Sequence, residues 1–173
     1  MDRFVSTFTN RIDAKSRVSI PAPFRAVLER DRYSGAASLG LYCYPSLDTP
    51  ALDAGGERLA RKIDGLLGGL ADYSDERDEL AVALYGEAQF LAIDPDGRIV
   101  LPKELRAQIG LADGVAEVAF VGLGDKFQLW EPARFEERRA KAREKVRAHR
   151  SLFGATRRPP IVPADDGSGG ETP

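Results

Sequence analysis

Cysteine is nearly missing from this chain. Cys43 stands alone, so no disulfide can close within the chain and no thiolate cluster can hold a metal. Histidine is equally scarce: His149 is the single copy and sits among arginines, which removes the histidine-based triads and paired-histidine metal sites. No Gly-rich loop follows a strand to cradle a phosphate. No apolar run approaches the roughly 18 residues that cross a bilayer. Met1-Asp2-Arg3-Phe4 lacks the apolar core of a secretion signal, which makes the cytoplasm the expected compartment. The carboxylates Asp75, Glu76, Asp78 and Glu79 do cluster, but at what reads as an exposed helix start, where the helix dipole favours them. These absences set enzyme chemistry aside, and neither cofactor nor metal is expected.

A dominant charge of one sign is also lacking. The net charge is −2, which by itself argues against a polyanionic partner. The charges are nevertheless segregated. Residues 1–30 carry six Lys/Arg against three Asp/Glu, residues 48–87 carry four against ten, and residues 131–158 carry ten against four. Affinity for nucleic acid depends on such local basic patches, because counterions are released phosphate by phosphate.

What the chain does have is a sentence said twice. Ile12-Asp13-Ala14-Lys15-Ser16-Arg17-Val18-Ser19-Ile20-Pro21 returns 81 positions later as Ile93-Asp94-Pro95-Asp96-Gly97-Arg98-Ile99-Val100-Leu101-Pro102. Both copies run on into an apolar residue and an arginine, Phe24-Arg25 and Leu105-Arg106. An internal repeat means two copies of one supersecondary unit. A duplicated unit with paired basic residues points to binding rather than catalysis.

The periodicities predict the unit. In the first copy, residues 4–12 and 17–20 alternate as strands around a turn at 13–16. Pro21 then opens a helix carrying Phe24, Val27 and Leu28, and residues 40–45 form a further strand holding Cys43 as a core residue. In the second copy, residues 88–93 and 98–101 are strands. Asp94-Pro95-Asp96-Gly97 is the turn, where proline pre-sets one φ and glycine permits a positive one. Pro102 opens a helix to residue 109, stopped by Gly110. Residues 115–121 and 126–130 read as a hairpin, with Trp130 packing at a strand end. Between the copies, helices are expected at 57–67 and 75–85. A basic helix is expected from Pro132 to about residue 150, its charged side a solvated face or oligomer seam with direct DNA contact as the other reading. The composition beyond residue 154 is that of a disordered tail.

The chemistry sits in the turns. Asp13 and Arg17, like Asp94 and Arg98, stand four apart. Flanking strand patterns argue against a helical pair. Across a tight turn the same spacing lets the aspartate accept from turn N–H groups and orient the arginine. The bland reading is a structural clasp; finding it twice raises the functional one.

The duplicated Asp-x-x-x-Arg, strand and Pro-x-x-[Phe/Leu]-Arg pattern resembles the MraZ family of bacterial DNA-binding transcriptional regulators, built from two AbrB-like halves. The resemblance covers roughly residues 4–150. The segment Val121-Gly122-Leu123-Gly124-Asp125-Lys126-Phe127-Gln128-Leu129-Trp130 is similar to the family's Gly-x-x-x-Lys-Phe-x-[Ile/Leu]-Trp hairpin. It implies an α+β fold, a duplicated AbrB-like swapped-hairpin β-barrel with helices, in a ring-forming homo-oligomer. It also implies binding to short direct repeats in promoter DNA, often of the family's own division and cell-wall operon, hence a nucleoid-associated protein. The segments expected are 4–52 and 88–135 as the two repeats, 53–87 as an acidic helical insert, 136–153 as a basic helix and 154–173 as a tail.

Lys15 and Arg17 match the family's DNA-contacting element, with Arg98 as the second-copy partner; Arg11 is a phosphate candidate beside them. Asp13, Asp94, Gly97, Pro21 and Pro102 are expected to shape the motif. Two departures stand out: Ser16 precedes the first arginine where the family commonly has glycine, and Phe4-Val5-Ser6 stands where Phe-Arg-Gly is common. The rival readings are an AbrB-like antitoxin-type repressor that also binds a partner protein, and a ring assembly protein that binds no DNA.

Overall fold

The computed structural model describes residues 2–150; the expected tail and the last residues of the expected basic helix lie outside them. The first copy supplies strands β1 (Thr7–Ile12) and β2 (Arg17–Ser19), helix α1 (Ala22–Arg30) and strands β3 (Gly40–Pro45) and β4 (Ala51–Gly55). Helices α2 (Glu57–Gly68) and α3 (Asp75–Ala81) follow, the latter continuing into a π-helical turn, Val82–Gly86. The second copy supplies β5 (Gln89–Ala92), β6 (Arg98–Val100), α4 (Lys103–Gln108), β7 (Ala116–Gly122) and β8 (Phe127–Trp130), and α5 (Pro132–Ala148) follows. The chain divides into two compact units, one ending at Glu137 and one starting at Arg138. Every residue from 136 to 150 is exposed.

The protein is an α+β chain with antiparallel sheets. One sheet has six strands in the order β1-β7-β8-β4-β3-β5, and β2 and β6 form a separate two-stranded ribbon. The order is instructive. β1 of the first copy pairs with the second copy's β7, Phe8 against Phe120 and Ile12 against Ala116. β5 of the second copy pairs with the first copy's β3, Leu41 against Leu91. The two hairpins meet at the centre, where β4 runs against β8. Each copy therefore lends its first strand to the other copy's hairpin, and the two lent strands form the outer edges of the sheet.

The core lies where the copies interleave. Phe4, Phe24 and Phe127 form a triangle of rings with centroids 4.8–5.3 Å apart, and all three are fully buried. Edge and tilted contacts of this kind add to the area term for large apolar side chains. Cys43 is buried in the same core as expected, and burial pushes its thiol pKa up. A second cluster gathers Leu59, Ile63 and Leu67, the apolar stripe of α2, against Tyr44 and Leu84. Trp130 packs at the end of β8 against Phe135, with ring centroids 6.0 Å apart.

Three local expectations change. β4 was not foreseen: Ala51-Leu52-Asp53-Ala54-Gly55 has little β-propensity and contains a charge, yet all five residues are buried in the middle of the sheet. Tertiary context overrides propensity here, and the strand crosses the expected boundary between residues 52 and 53. The expected helix over 75–85 holds an α-helical pattern only to Ala81. Beyond it the Glu87 N–H reaches Val82 O (3.2 Å), and the widened turn leaves Leu84 O to accept from the Tyr42 hydroxyl at 2.6 Å. The expected strand over 4–12 is broken at Ser6, whose φ is +76°. Phe4 instead exchanges two backbone hydrogen bonds with Gly124, at 2.8 and 2.9 Å. A Cβ on Gly122 would lie 2.5 Å from the Phe4 backbone, so this close crossing requires glycine.

Ser6 thus takes a left-handed conformation that costs an L-residue roughly 1–2 kcal/mol. Glycine there recovers that cost less the entropy it loses on folding. Ser6→Gly is expected to raise stability by about 0.5–1 kcal/mol, read as an increased urea midpoint with unchanged slope.

Candidate nucleic-acid interface

The two Asp-x-x-x-Arg segments fold as one structure built twice. In the first, the Asp13 carboxylate accepts at Oδ1 from the Lys15 and Arg17 N–H groups, both at 2.9 Å, and at Oδ2 from Arg17 Nε at 2.8 Å. In the second, Asp94 Oδ1 accepts from the Asp96 and Arg98 N–H groups, both at 2.9 Å, and Oδ2 from Arg98 Nε at 3.0 Å. The backbone closes each turn the same way: Ser16 N–H to Asp13 O at 3.0 Å, Gly97 N–H to Asp94 O at 2.9 Å. Ser16 holds φ +60° where Gly97 holds +79°. The serine accepts the left-handed geometry, so the first turn keeps the shape of the second. This is the clasp inferred from spacing: an aspartate satisfying turn donors and fixing an arginine.

The clasps then meet. β2 pairs antiparallel with β6 in the register Arg17–Val100, Val18–Ile99 and Ser19–Arg98. Flanking bonds extend the ladder symmetrically, Ile20 N–H to Gly97 O and Leu101 N–H to Ser16 O, both 2.9 Å. Alternation turns Val18 and Ile99 into the core, each 1% exposed. Arg17, Ser19, Arg98 and Val100 therefore share the opposite face of the ribbon. The arginine side chains are about one-third exposed, 33% and 30%. Asn10 Nδ2 donates to Ser19 O at 2.6 Å and ties β1 to the ribbon.

Each copy also braces the other copy's turn. Arg25 and Arg106 occupy equivalent positions after Pro21 and Pro102, which serve as the N-caps of α1 and α4. Arg106 is buried and donates to Gly114 O at 2.8 Å, to Ala112 O, and to Ser16 Oγ of the first turn at 3.3 Å. Arg25 lies over the second turn: a Cβ on Gly97 would fall 1.7 Å from its Nη1. The sequence repeat includes both arginines but does not by itself assign them these contacts. The signal was present in their equal distance from the turns, but which turn each would reach is set by the cross-pairing of the copies.

The remaining candidates fall as follows. Lys15 is exposed at the tip of the first turn, and its ammonium makes no ion pair among the described residues. Arg17 spends only its Nε on Asp13 and leaves both terminal nitrogens unpaired. Arg98 is held more tightly, with Nη2 also bound to Asp96 at 3.1 Å. Arg11 is exposed on β1, opposite Glu117 in the β7 register, a cross-strand position that places a carboxylate beside it. The backbone N–H of Arg17 on Asp13, and of Arg98 on Asp94, holds each carboxyl below the usual 3.8, with the guanidinium adding to the effect against partial desolvation.

Fold and site together define an α+β protein with antiparallel sheets whose Asp-x-x-x-Arg motif, present twice, lies on a two-stranded β-ribbon. Comparison with known proteins places it further. A family described as "MraZ protein, putative antitoxin-like" matches residues 84–152. A protein of Xanthobacter autotrophicus named Transcriptional regulator MraZ is 55% identical over 155 residues, covering 90% of this chain and 94% of that one. Proteins of the same name from Azorhizobium caulinodans (53% over 155 residues, 90% and 94%) and Methylocella silvestris (49% over 163 residues, 94% and 94%) are similarly close. The chain belongs to the MraZ family, a family of transcriptional regulators and not of enzymes.

The clasps carry a pH signature. Because the folded-state values of Asp13 and Asp94 are depressed, their contribution is present above the unfolded value near 3.8 and disappears as pH falls through the lowered folded-state values. In thermal melts followed from pH 6 down to pH 2, the wild type is expected to lose stability more steeply below pH 3.8 than the Asp13→Asn, Asp94→Asn double variant. The double variant is expected to be the less stable of the two at pH 6. Coincident curves would show that the clasps contribute nothing to folding.

Proposed function

We propose that the protein is a sequence-specific DNA-binding transcriptional regulator that recognises short direct repeats in a promoter, that of its own division and cell-wall operon. The observation that carries the reading is the first-copy hairpin: a rigid turn presents the unpaired Lys15 ammonium and the free terminal nitrogens of Arg17 at the end of an exposed ribbon. A two-stranded β-ribbon fits the major groove of B-DNA, where an arginine bidentate on guanine discriminates by about 1–3 kcal/mol. Holding Arg17 through Nε leaves the edge formed by its two terminal nitrogens for such a contact. Lys15 and Arg11 set register on phosphates.

The cross-pairing of β1 with β7 and of β5 with β3 supports a duplicated swapped-hairpin β-barrel made from two repeats, the first extended by β4 from the expected residue 52 to Gly55 and the second spanning 88–135, with the acidic helical insert between them and the basic helix α5 after them. One hairpin offers few charges. A ring of copies reading spaced repeats multiplies weak contacts through effective concentration, and a head-to-tail interface closing on itself is an ordinary route to such a ring. The protein acts in the cytoplasm on the nucleoid; among the described residues no helix is long and apolar enough to cross a membrane. The words "antitoxin-like" in the matching family's description favour, as a second reading, a repressor that also captures a partner protein.

The test is a gel-shift titration on DNA upstream of the protein's own gene beside scrambled DNA, at two salt concentrations, with Arg17→Ala in parallel. The wild type is expected to prefer its upstream DNA and to weaken with salt. Arg17→Ala is expected to lose at least about tenfold in affinity, the equivalent of one good base or phosphate contact. Equal affinity for scrambled DNA would rule out this promoter, and absence of any DNA binding would leave the ring assembly reading.

A further inference from the structure

The two turns share a backbone and differ in what they hold out. Lys15 and Asp96 are equivalent positions, 81 apart. Each gives its backbone N–H to Oδ1 of its own clasp aspartate at 2.9 Å, so the turn is built without using either side chain. The charge at the tip is therefore free to differ. In the first copy Lys15 is unpaired and Arg17 faces one carboxylate. In the second copy the Asp96 carboxylate is 76% exposed and shares Arg98 with Asp94. The cleft of about 660 Å³ beside this turn is lined by Glu29, Asp94 and Asp96 with Arg25 as the single cation among its lining residues. A DNA backbone approaching the first tip meets an ammonium; approaching the second, it meets carboxylates.

We infer that the two copies have divided their roles: the first hairpin carries the DNA contacts, and Asp96 keeps the second hairpin off the duplex. This rests on the DNA-binding reading above and goes beyond it. Asp96 is a specificity-determining residue. By repelling phosphate at the second tip and occupying Arg98, it limits each chain to one engaged hairpin, so that repeat spacing in the operator corresponds to one chain per repeat rather than two contacts per chain. Nonspecific attachment through the second tip is suppressed for the same electrostatic reason.

Fluorescence-anisotropy titrations of the full chain on its own upstream DNA and on scrambled DNA, at two salt concentrations, test this with Asp96→Lys, Asp96→Asn and Glu79→Lys. Lysine fits at position 96 because Lys15 already occupies the same turn, and thermal melts confirm folding. Asp96→Lys is expected to tighten binding to both DNAs by at least about fivefold at low salt and to steepen the slope of log K against log salt by about one unit, one further phosphate neutralised. Preference for the upstream DNA is expected to fall. Asp96→Asn is expected to move the same way by less, and Glu79→Lys, the same charge change on α3, to move little. Wild-type binding that Asp96→Lys strengthens no more than Glu79→Lys does would overturn the division of roles while leaving DNA binding intact. A wild type that binds no DNA would overturn both.

Discussion

A ribbon of two three-residue strands ties the halves of this protein together, and it exists because neither strand finds a full ladder within its own copy. β2 is too short and too close to its own turn to satisfy its backbone on β1 alone; β6 is in the same position beside β5. Buried backbone donors and acceptors must be paired, and each strand answers by pairing with its equivalent from the other copy. Once that register is set, much else follows. Val18 and Ile99 are driven into the core, the arginines onto the opposite face, and the glycine of one turn under the arginine of the other copy's partner helix. The cross-copy pairing of β1 and β5 continues the same exchange through the large sheet.

Carboxylates do much of the structural work, which accounts for an acidic chain carrying a basic hairpin. Asp13 and Asp94 each satisfy turn N–H groups while aiming an arginine. Asp53, 4% exposed in β4, binds Lys126 Nζ and Gln128 Nε2 of the second copy, both at 2.7 Å. Gln128 in turn accepts from Trp130 Nε1 at 2.9 Å. A charge in the middle of a sheet is tolerated because both of its oxygens are satisfied. Asp13 offsets the charge of Arg17 in the first turn and leaves that of the exposed Lys15 uncompensated. The Asp96 carboxylate, at the tip of the second turn, is mostly in solvent.

The two turns match in backbone and differ in side chain. The pair Ser16 and Gly97 keeps one backbone with two side chains; the pair Lys15 and Asp96 keeps one backbone with two charges. The pair Arg25 and Arg106 keeps one position with two degrees of burial, the second arginine spending its donors on the loop at Ala112 and Gly114 and on Ser16. Conserving the turn while freeing its tip is possible because the aspartate, not the tip residue, satisfies the backbone.

The repeat, the strand-turn-strand-helix unit, the aspartate-arginine clasp and the basic first turn were all legible in the residue order, because each rests on contacts between residues near in sequence. Alternation marked the strands, Pro21 and Pro102 marked the helix starts, and spacing by four across a turn marked the clasp. The chain alone did not disclose β4, whose residues suit a strand only when flanked by β3 and β8. Nor did it disclose the break at Ser6, which accompanies the crossing of Phe4 over Gly122 and Gly124, or the π-turn, whose Leu84 O accepts from Tyr42 far away in sequence. Residue order also left open which arginine braces which turn. Local hydrogen bonding and periodicity are written in consecutive residues; pairing between distant strands, and the environments it creates, is decided only when the two copies fold around one another.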